Sequence, residues 1–243
     1  MATVLILGAT SDIAMAIANK FAAERYNVQL AARNVSQLGP LVSDLAIRHN
    51  VQCSLHAFDA RDFASHRSFY ASLAVKPDVT VCVFGYLGEN EKAMISEAET
   101  MNIIETNYTG AVSILNVVAL DYAAKKSGTI VGISSVAGLR GRQSNYMYGS
   151  AKAGFTTYLS GLRNRMFREN VHVLTVLPGF VATRMTEDLN LPKLLTAQPA
   201  EVGTAVYKAV IGKANVIYVR WFWQFIMLII RLVPEPIFKK LKL

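Results

Sequence analysis

Two residues beyond the middle of the chain, Tyr148 and Lys152, have the types and the spacing of a proton-transfer pair. Residues four apart on a helix lie on one face about one turn apart. A free phenol has a pKa of about 10, too high for efficient proton transfer at neutral pH, and a neighbouring ammonium lowers it. The pair therefore predicts a tyrosine that acts as a general acid, with Lys152 supplying the charge.

A hydroxyl belongs to the same stretch of sequence. The apolar run from Thr129 to Ile133 is typical of a buried strand, and Ser134 and Ser135 follow it. Sites in open α/β sheets form at strand ends. Ser135 precedes Tyr148 by thirteen residues, so we expect the strand end and the helix to bring the two hydroxyls together.

The N-terminus reads as strand, turn and helix. Thr3 to Leu7 is apolar and β-branched, Gly8 follows, and apolar residues from Ile13 to Phe21 recur at helical spacing. Such a turn presents helix N-terminal amides to a pyrophosphate. A plain βα turn that binds nothing is the alternative for this loop taken alone.

Further apolar, strand-like runs alternate with helical patterns and predict an α/β fold. The core domain is expected over residues 1–219, and residues 220–243 form a separate tail. The strand-like runs are Val28 to Ala32, Gln52 to Phe58, Val79 to Phe84, Val171 to Leu177 and Val216 to Val219.

Composition narrows the classes of partner. The net charge is +8, but no helix-turn-helix, zinc-finger or RNA-binding signature accompanies it, so nucleic acid is not expected. The four histidines lack metal-ligand spacing, and no metal is predicted. Cys53 and Cys82 lie in or beside strand-like runs and are predicted to be core residues. No secretory signal is visible, and both observations favour the cytoplasm.

Several motifs together resemble the short-chain dehydrogenase/reductase family over roughly Ala2 to Tyr218. They are the turn from Gly8 to Ala14, Asn107, Ser135, Tyr148 with Lys152, and Pro178-Gly179 followed by Thr183. The resemblance implies a Rossmann-type, doubly wound parallel sheet of about seven strands with helices on both faces. It also implies hydride transfer between a nicotinamide cofactor and a substrate carbonyl.

The resemblance also implies roles for four catalytic residues. Tyr148 gives a proton to the carbonyl oxygen, and Ser135 hydrogen-bonds that oxygen. Lys152 lowers the pKa of the tyrosine and holds the nicotinamide ribose. Asn107 kinks its helix and completes a proton relay.

Cofactor contacts follow from the resemblance as well. They are Gly8, Thr10, Ser11, Asp12, Ile13, Arg33, Asp59, Ala60, Gly85, Tyr148, Lys152, Pro178, Gly179, Val181 and Thr183. The chain departs from the family in the first turn, where Asp12 and Ala14 replace glycines. Because a carboxylate repels a pyrophosphate, we expect Asp12 to cap the helix instead.

The end of the second strand-like run bears on the choice of cofactor. NAD-specific enzymes of this kind place an acidic residue there, whereas this chain has Ala32 followed by Arg33. Arg33 can pair with a 2′-phosphate, so the resemblance favours NADP(H) over NAD(H). The alternative is a solvated surface arginine.

The tail is the most unusual stretch. Its apolar run from Trp221 to Val233 is shorter than the about 20 residues that a spanning helix needs. On a helix, Arg220, Gln224 and Arg231 fall in a narrow arc and leave a broad apolar face, and three lysines follow. We expect 221–243 to contact a membrane peripherally or to line a lipid-chain channel, with a buried oligomer interface as the alternative.

The tail and the GATSDIA turn resemble those of bacterial reductases that act on polyprenyl-phosphate-linked keto sugars, which implies a lipid-linked substrate. The loop from Arg140 to Met147, together with Tyr86 and Leu87, is expected to line the substrate site. Arg140 or Arg142 could contact a phosphate or be solvated. The family resemblance also implies a homodimer or homotetramer. Two rival readings are a reductase of small soluble carbonyl compounds, with the tail serving assembly, and a non-catalytic dinucleotide-binding protein.

Overall fold

Strands and helices alternate along the chain as the apolar runs predict. The computed structural model describes residues 1–187 and 191–241. Its strands are Thr3–Leu7 (β1), Asn27–Ala32 (β2), Cys53–Ala57 (β3), Val79–Cys82 (β4), Thr129–Ile133 (β5), His172–Pro178 (β6), Phe180–Val181 (β7), Thr196–Ala197 (β8) and Val216–Val219 (β9).

Helices connect these strands. They are Asp12–Ala23 (α1), Gly39–His49 (α2), His66–Ser72 (α3), Asn90–Ile95 (α4), Glu97–Ile104 (α5), Gly110–Lys125 (α6), Tyr146–Phe167 (α7), Pro199–Ile211 (α8), Trp223–Leu232 (α9) and Glu235–Phe238 (α10). A π-helical turn, Glu105–Thr109, joins α5 to α6.

The main sheet is parallel and has the order β3-β2-β1-β4-β5-β6-β9. The chain moves outward in one direction from β1 to β3, returns to β4 beside β1, and continues outward in the other direction. This reversal creates a crevice at the carboxyl ends of β1 and β4, where open α/β sheets bind ligands. The predicted doubly wound fold with seven strands is confirmed.

Alternate residues of β1 supply both faces of the sheet, as the two-residue period of a strand requires. Val4 and Ile6 join the apolar layer under α1, α2 and α8. Leu5 and Leu7 join the layer under α3, α6 and α7. All of β1 is buried, so the strand that bears the glycine turn is held from both sides.

The segment Glu97–Lys125 is long and apolar enough to cross a membrane by length and composition. In this fold it serves as a core helix. Ile114, Leu115 and Val118 are fully buried and pack in the same layer as Leu159 of α7. Its apolar character is therefore explained by the packing of α6 against the sheet and α7.

The tail packs against the end of the sheet through α9. Trp223 and Met227 are buried in a small cluster with Val136 and Leu177. A Cβ added at Gly179 would lie 2.0 Å from the Trp223 ring, so only glycine admits the indole there. The indole Nε1 donates to the Leu195 carbonyl at 3.2 Å. The division of the chain near residue 219 remains a prediction.

Candidate active site

A cleft of about 280 Å³ opens at the crevice between the ends of β1 and β4. Seven predicted cofactor contacts line it, namely Gly8, Thr10, Ser11, Arg33, Asp59, Ala60 and Gly85, and Ala32, Tyr86 and Thr106 lie beside them. The structure thus brings together the turn after β1, the end of β2, the segment after β3 and the loop after β4.

Gly8 forms the floor of the cleft, and no other residue fits there. Its φ is +94°, and an added Cβ would lie 2.6 Å from the Cβ of Phe84. The Gly8 and Ala9 amides both donate to the Ala31 carbonyl at 2.9 and 3.0 Å. The turn is therefore tight, and backbone rather than side chain faces the cleft.

The N-terminus of α1 is capped by Ser11. The Ser11 side chain accepts a hydrogen bond from the Ala14 amide at 3.2 Å, and its own backbone is extended. The prediction that Asp12 caps the helix is wrong, because Asp12 is already the first helical residue. Serine at the preceding position has the backbone conformation that a cap needs.

Asp12 instead binds Arg184, a contact that spans 172 residues of sequence. The Arg184 amide donates to one carboxylate oxygen at 2.8 Å, and its Nε donates to the other at 3.1 Å. Arg184 also donates to the Thr10 carbonyl. The negative charge of Asp12 is thereby compensated, which removes the objection to a pyrophosphate at this turn.

Lys152 is buried, with 3% of its surface exposed. Its Nζ donates to the Ile133 carbonyl at 3.2 Å and lies 5.7 Å from the centre of the Tyr148 ring. Burial lowers the pKa of Lys152 to about 8, while Cys82 opposes that shift. A lysine with this pKa exchanges protons close to neutral pH.

The half-buried Tyr148 lies beside Ser135. Burial raises the pKa of Tyr148 to about 12, and a hydrogen bond with the Ser135 hydroxyl opposes that rise. Desolvation of the phenolate therefore outweighs this hydrogen bond, and the pKa of Tyr148 is raised rather than lowered as the sequence predicts. Tyr148 is accordingly protonated, the form that a general acid needs.

The two serines after β5 have different surroundings. The Ser134 hydroxyl is buried and bonds the Lys152 carbonyl at 3.0 Å and the Thr156 hydroxyl at 2.7 Å. The Ser135 hydroxyl accepts from the Ala137 amide at 3.1 Å, which directs it towards Tyr148. Ser134 anchors α7 to the sheet, and Ser135 remains available to the site.

Asn107 lies in the π-helical turn and is 1% exposed. Its amide nitrogen donates to the Tyr86 carbonyl at 2.6 Å and the Ile103 carbonyl at 2.9 Å, and its oxygen accepts from the Tyr86 amide at 3.2 Å. A Cβ at Gly85 would lie 3.0 Å from Asn107 Oδ1 and 3.5 Å from Lys152 Nζ. Both groups therefore flank Gly85 at the inner wall of the cleft.

The predicted residues after β6 are not among those that line the cleft. Gly179 is covered by Trp223, and Val181 is 5% exposed. Thr183 caps a short helical turn with Thr186 and lines a neighbouring cavity that Asp12 also reaches. Pro178, the last residue of β6, pairs with Val219. Ile13 is partly buried against the core layer under α1.

Sequence reasoning missed Arg184 and the contact of Trp223 with Gly179. Neither has a local signal, since each joins segments that are distant in the chain. Within residues 1–187 and 191–241, no group of three His, Cys, Asp or Glu side chains is arranged to hold a metal ion.

Known proteins resemble this chain in sequence and in fold. A sequence profile described as short chain dehydrogenase matches residues 2–193. An uncharacterized oxidoreductase of Mycobacterium tuberculosis is 34% identical over 243 residues, which cover 99% of this chain and 97% of that protein. A 3-oxoacyl-acyl-carrier-protein reductase of Chlamydia muridarum is 29% identical over 190 residues, 76% of each chain.

A solved short-chain dehydrogenase from Sphingobium yanoikuyae, in complex with NADPH, has the same fold, with a TM-score of 0.83. The two sequences are 23% identical, and the match covers 90% of this chain and 88% of that one. The profile match and the mycobacterial relative show that the chain belongs to the short-chain dehydrogenase/reductase family. It is an NAD(P)-dependent oxidoreductase, as the motifs predict.

The buried ammonium of Lys152 predicts a pH dependence of stability. The unfolded lysine has an ordinary pKa near 10.5 and the folded one about 8, so the unfolded chain binds the extra proton between these values. Folding stability of the wild type should therefore rise with pH across this window relative to Lys152→Met, by on the order of 3 kcal/mol. Urea unfolding at a series of pH values measures it.

Both proteins carry the same tyrosines, so their titration largely cancels in this comparison. Parallel stability curves for the wild type and Lys152→Met between pH 8 and 10.5 would contradict the assignment of a depressed pKa to Lys152.

Proposed function

We propose that the protein reduces a ketone to an alcohol with NADP(H), with Tyr148 as the proton donor. One observation carries the proposal: a protonated tyrosine, a serine hydroxyl and a buried lysine meet beside a glycine-floored cleft at the sheet reversal. When bound, the nicotinamide would supply the hydride to the carbonyl carbon. The Chlamydia muridarum relative is named as a reductase of 3-oxoacyl groups, which are ketones.

The cleft suits a dinucleotide. An added Cβ at Gly8 would meet Phe84, and one at Gly85 would crowd Asn107 and Lys152, so the cleft depends on bare backbone at both positions. The capped N-terminus of α1 offers its first amides to a pyrophosphate. Asp59 and Ala60 line the adenine side, and Lys152 would hold the nicotinamide ribose.

The protein's own groups move the proton. The Ser135 hydroxyl hydrogen-bonds the carbonyl oxygen and stabilises negative charge as it develops. Tyr148 transfers its phenolic proton to that oxygen. Lys152, with a pKa of about 8, then returns a proton towards Tyr148. Asn107 flanks Gly85 together with Lys152 and bonds the loop that carries Tyr86.

Tyr148→Phe should bind NADPH like the wild type and lower kcat by about 10²–10⁴-fold, because only the proton donor is lost. Tyr146→Phe is the matched control, since Tyr146 lies two residues earlier on the same helix and is 36% exposed. NADPH oxidation with a panel of ketones measures the effect. Equal kcat values for Tyr148→Phe and Tyr146→Phe would exclude Tyr148 as the donor.

Arg33 supports the choice of NADP(H). It is exposed at the rim of the cleft directly after Ala32, and neither residue at this strand end is acidic. A guanidinium there forms charge-assisted bonds with a 2′-phosphate.

Arg33→Leu should weaken NADPH binding by about tenfold or more and leave NADH binding unchanged. Arg67→Leu, which removes an exposed arginine that does not line the cleft, serves as the control for net charge. Fluorescence titration of both nucleotides gives the dissociation constants. A similar loss of affinity for NADPH and NADH would refute the 2′-phosphate role of Arg33.

The outer face of α9 supports contact with a membrane. Five large apolar side chains repeat at helical spacing and are 52–73% exposed; they are Trp221, Phe225, Leu228, Ile229 and Leu232. Burying such side chains contributes about 1.5–3 kcal/mol each. Arg231, Lys239 and Lys240 lie exposed nearby and suit anionic headgroups, whereas Lys242 and Leu243 lie outside the described residues.

The buried side of α9 adjoins the substrate side of the proposed site. Phe180 lines a cavity with Tyr148 and packs edge to face on Trp223, with ring centres 5.2 Å apart. An apolar chain that leaves a membrane at α9 would reach the catalytic tyrosine over a short path. This arrangement favours a lipid-linked or apolar ketone over a small soluble one, and a cytoplasmic protein bound at the inner face of the membrane.

Phe225→Glu combined with Ile229→Glu should lower binding to phosphatidylglycerol-containing vesicles by about tenfold or more. Ile47→Glu combined with Ile211→Glu adds the same charge on other exposed apolar positions. Vesicle flotation gives the bound fraction, and light scattering gives the oligomeric state. Loss of an oligomer without any vesicle binding by the wild type would assign this face to subunit contact instead.

Association through other helices is part of the proposal. Met101 of α5, Leu120 of α6 and Phe167 of α7 are 40%, 57% and 82% exposed. A homodimer or homotetramer that pairs the Asn107 helix and α7 would cover these side chains, and it would leave α9 free for the membrane.

A further inference from the structure

Tyr148 lines a second cavity, which, among the described residues, shares no lining residue with the cofactor cleft. Its volume is about 420 Å³, and Leu87, Ile103, Met147 and Phe180 supply apolar walls. Arg142, Asn90 and Asn145 also line it, and no aspartate or glutamate does. The cavity is therefore positive and largely apolar, and it ends at the proposed proton donor.

Three polar atoms in these walls are buried without a hydrogen-bond partner in the described part of the chain. They are Arg142 Nε, Asn90 Nδ2 and Asn145 Oδ1. Each such group destabilises a folded protein unless a ligand or water satisfies it. Their grouping in one cavity points to a ligand with complementary polar groups.

One of these side chains is held by a hydrogen bond, and the backbones of the other two residues are joined in a turn. Asn90 Oδ1 accepts from the Met147 amide at 3.2 Å, which leaves its Nδ2 donor for the cavity. The Asn145 amide donates to the Arg142 carbonyl at 3.2 Å in the turn that starts α7. The Asn90 donor is therefore fixed in the cavity wall, and the turn places Arg142 and Asn145 next to each other.

Arg142 differs from its neighbour Arg140 in its partners. Arg140 pairs with Glu235 at 2.7 Å, donates to the Arg231 carbonyl and stacks on the Phe238 ring. Arg142 forms no ion pair within residues 1–187 and 191–241, and burial lowers its pKa. The Arg140 guanidinium is thus bound to the tail, whereas the charge of Arg142 is available in the cavity.

We infer that Arg142 and Asn90 bind an anionic group of the substrate, a phosphate or a carboxylate, and that Asn145 accepts a hydrogen bond from a substrate hydroxyl. The inference rests on the proposed ketone reduction, because the cavity positions the substrate against Tyr148. Two donors match the oxygens of an anion, and the unpartnered carbonyl oxygen of Asn145 matches a hydroxyl. The substrate class is a hydroxylated ketone with an anionic substituent.

Binding can be measured without turnover in the Tyr148→Phe protein saturated with NADP⁺. Calorimetry would compare dihydroxyacetone phosphate, its octyl phosphodiester and uncharged dihydroxyacetone, and likewise acetoacetate and its methyl ester. The monoester, diester and carboxylate arms distinguish a free phosphate, a lipid-linked phosphate and an acid. We expect at least one anionic probe to bind about tenfold or more tightly than its uncharged counterpart.

Arg142→Met should remove this preference and leave the affinity for the uncharged ketones within about twofold, and Arg142→Lys should retain part of it because charge remains without the fork. Arg165→Met, an exposed position on α7, controls for net charge. Equal affinities for charged and uncharged probes in the parent protein, no binding of any anionic probe, or equal effects of Arg142→Met and Arg165→Met would overturn the inference.

Failure of this inference differs from failure of the proposed function. If the wild type reduces uncharged ketones but the anionic preference is missing, only the role of Arg142 is lost. If no ketone is reduced, the proposed reaction fails, while the binding comparison still decides whether Arg142 holds an anion.

Discussion

The burial of the Lys152 ammonium is the constraint on which the site depends. A buried charge is costly unless its surroundings compensate it, and within the described residues the Ile133 carbonyl, at 3.2 Å, is the one hydrogen-bond acceptor of Lys152 Nζ. The Ser134 hydroxyl fixes the backbone of Lys152, and Gly85 keeps side-chain atoms away from its Nζ. In the proposed mechanism, the resulting pKa of about 8 would let one lysine serve both as a cation for a ribose and as a proton source.

The tail packs directly against residues that adjoin the proposed catalytic centre. Trp223 fills the space that Gly179 leaves, bonds the Leu195 carbonyl and contacts Phe180 at the cavity wall. Arg140, in the loop that leads to Arg142, pairs with Glu235 beyond α9. A ligand in the cavity beside Tyr148 and a membrane against α9 would therefore act on neighbouring parts of one structure. This proximity is the physical basis for linking apolar substrates to the tail.

Local patterns predict most of the fold, because buried parallel strands are apolar throughout and helices between them keep their period. The Tyr148 and Lys152 pair is predictable for the same reason, since one helix positions both. Contacts between distant segments are not predictable in this way. The contacts of Arg184 with Asp12 and of Trp223 with Gly179 depend on how the chain folds back at the end of the sheet. The cap at Ser11 depends on a backbone conformation that each of the adjacent polar residues could adopt. The raised pKa of Tyr148 was also not predicted, because it depends on the burial of the phenol, which outweighs its hydrogen bond with Ser135.

Transfer of a labelled hydride tests the central claim most directly. The wild type would be incubated with a ketone and with NADPH that carries deuterium in place of both hydrogens on the nicotinamide C4. The alcohol product would then be analysed by NMR. The account predicts one deuterium on the carbinol carbon and a proton from solvent on its oxygen. Oxidation of NADPH without deuterium in the alcohol would contradict it, because the cofactor would then be consumed by a reaction that does not pass through the substrate held at Tyr148.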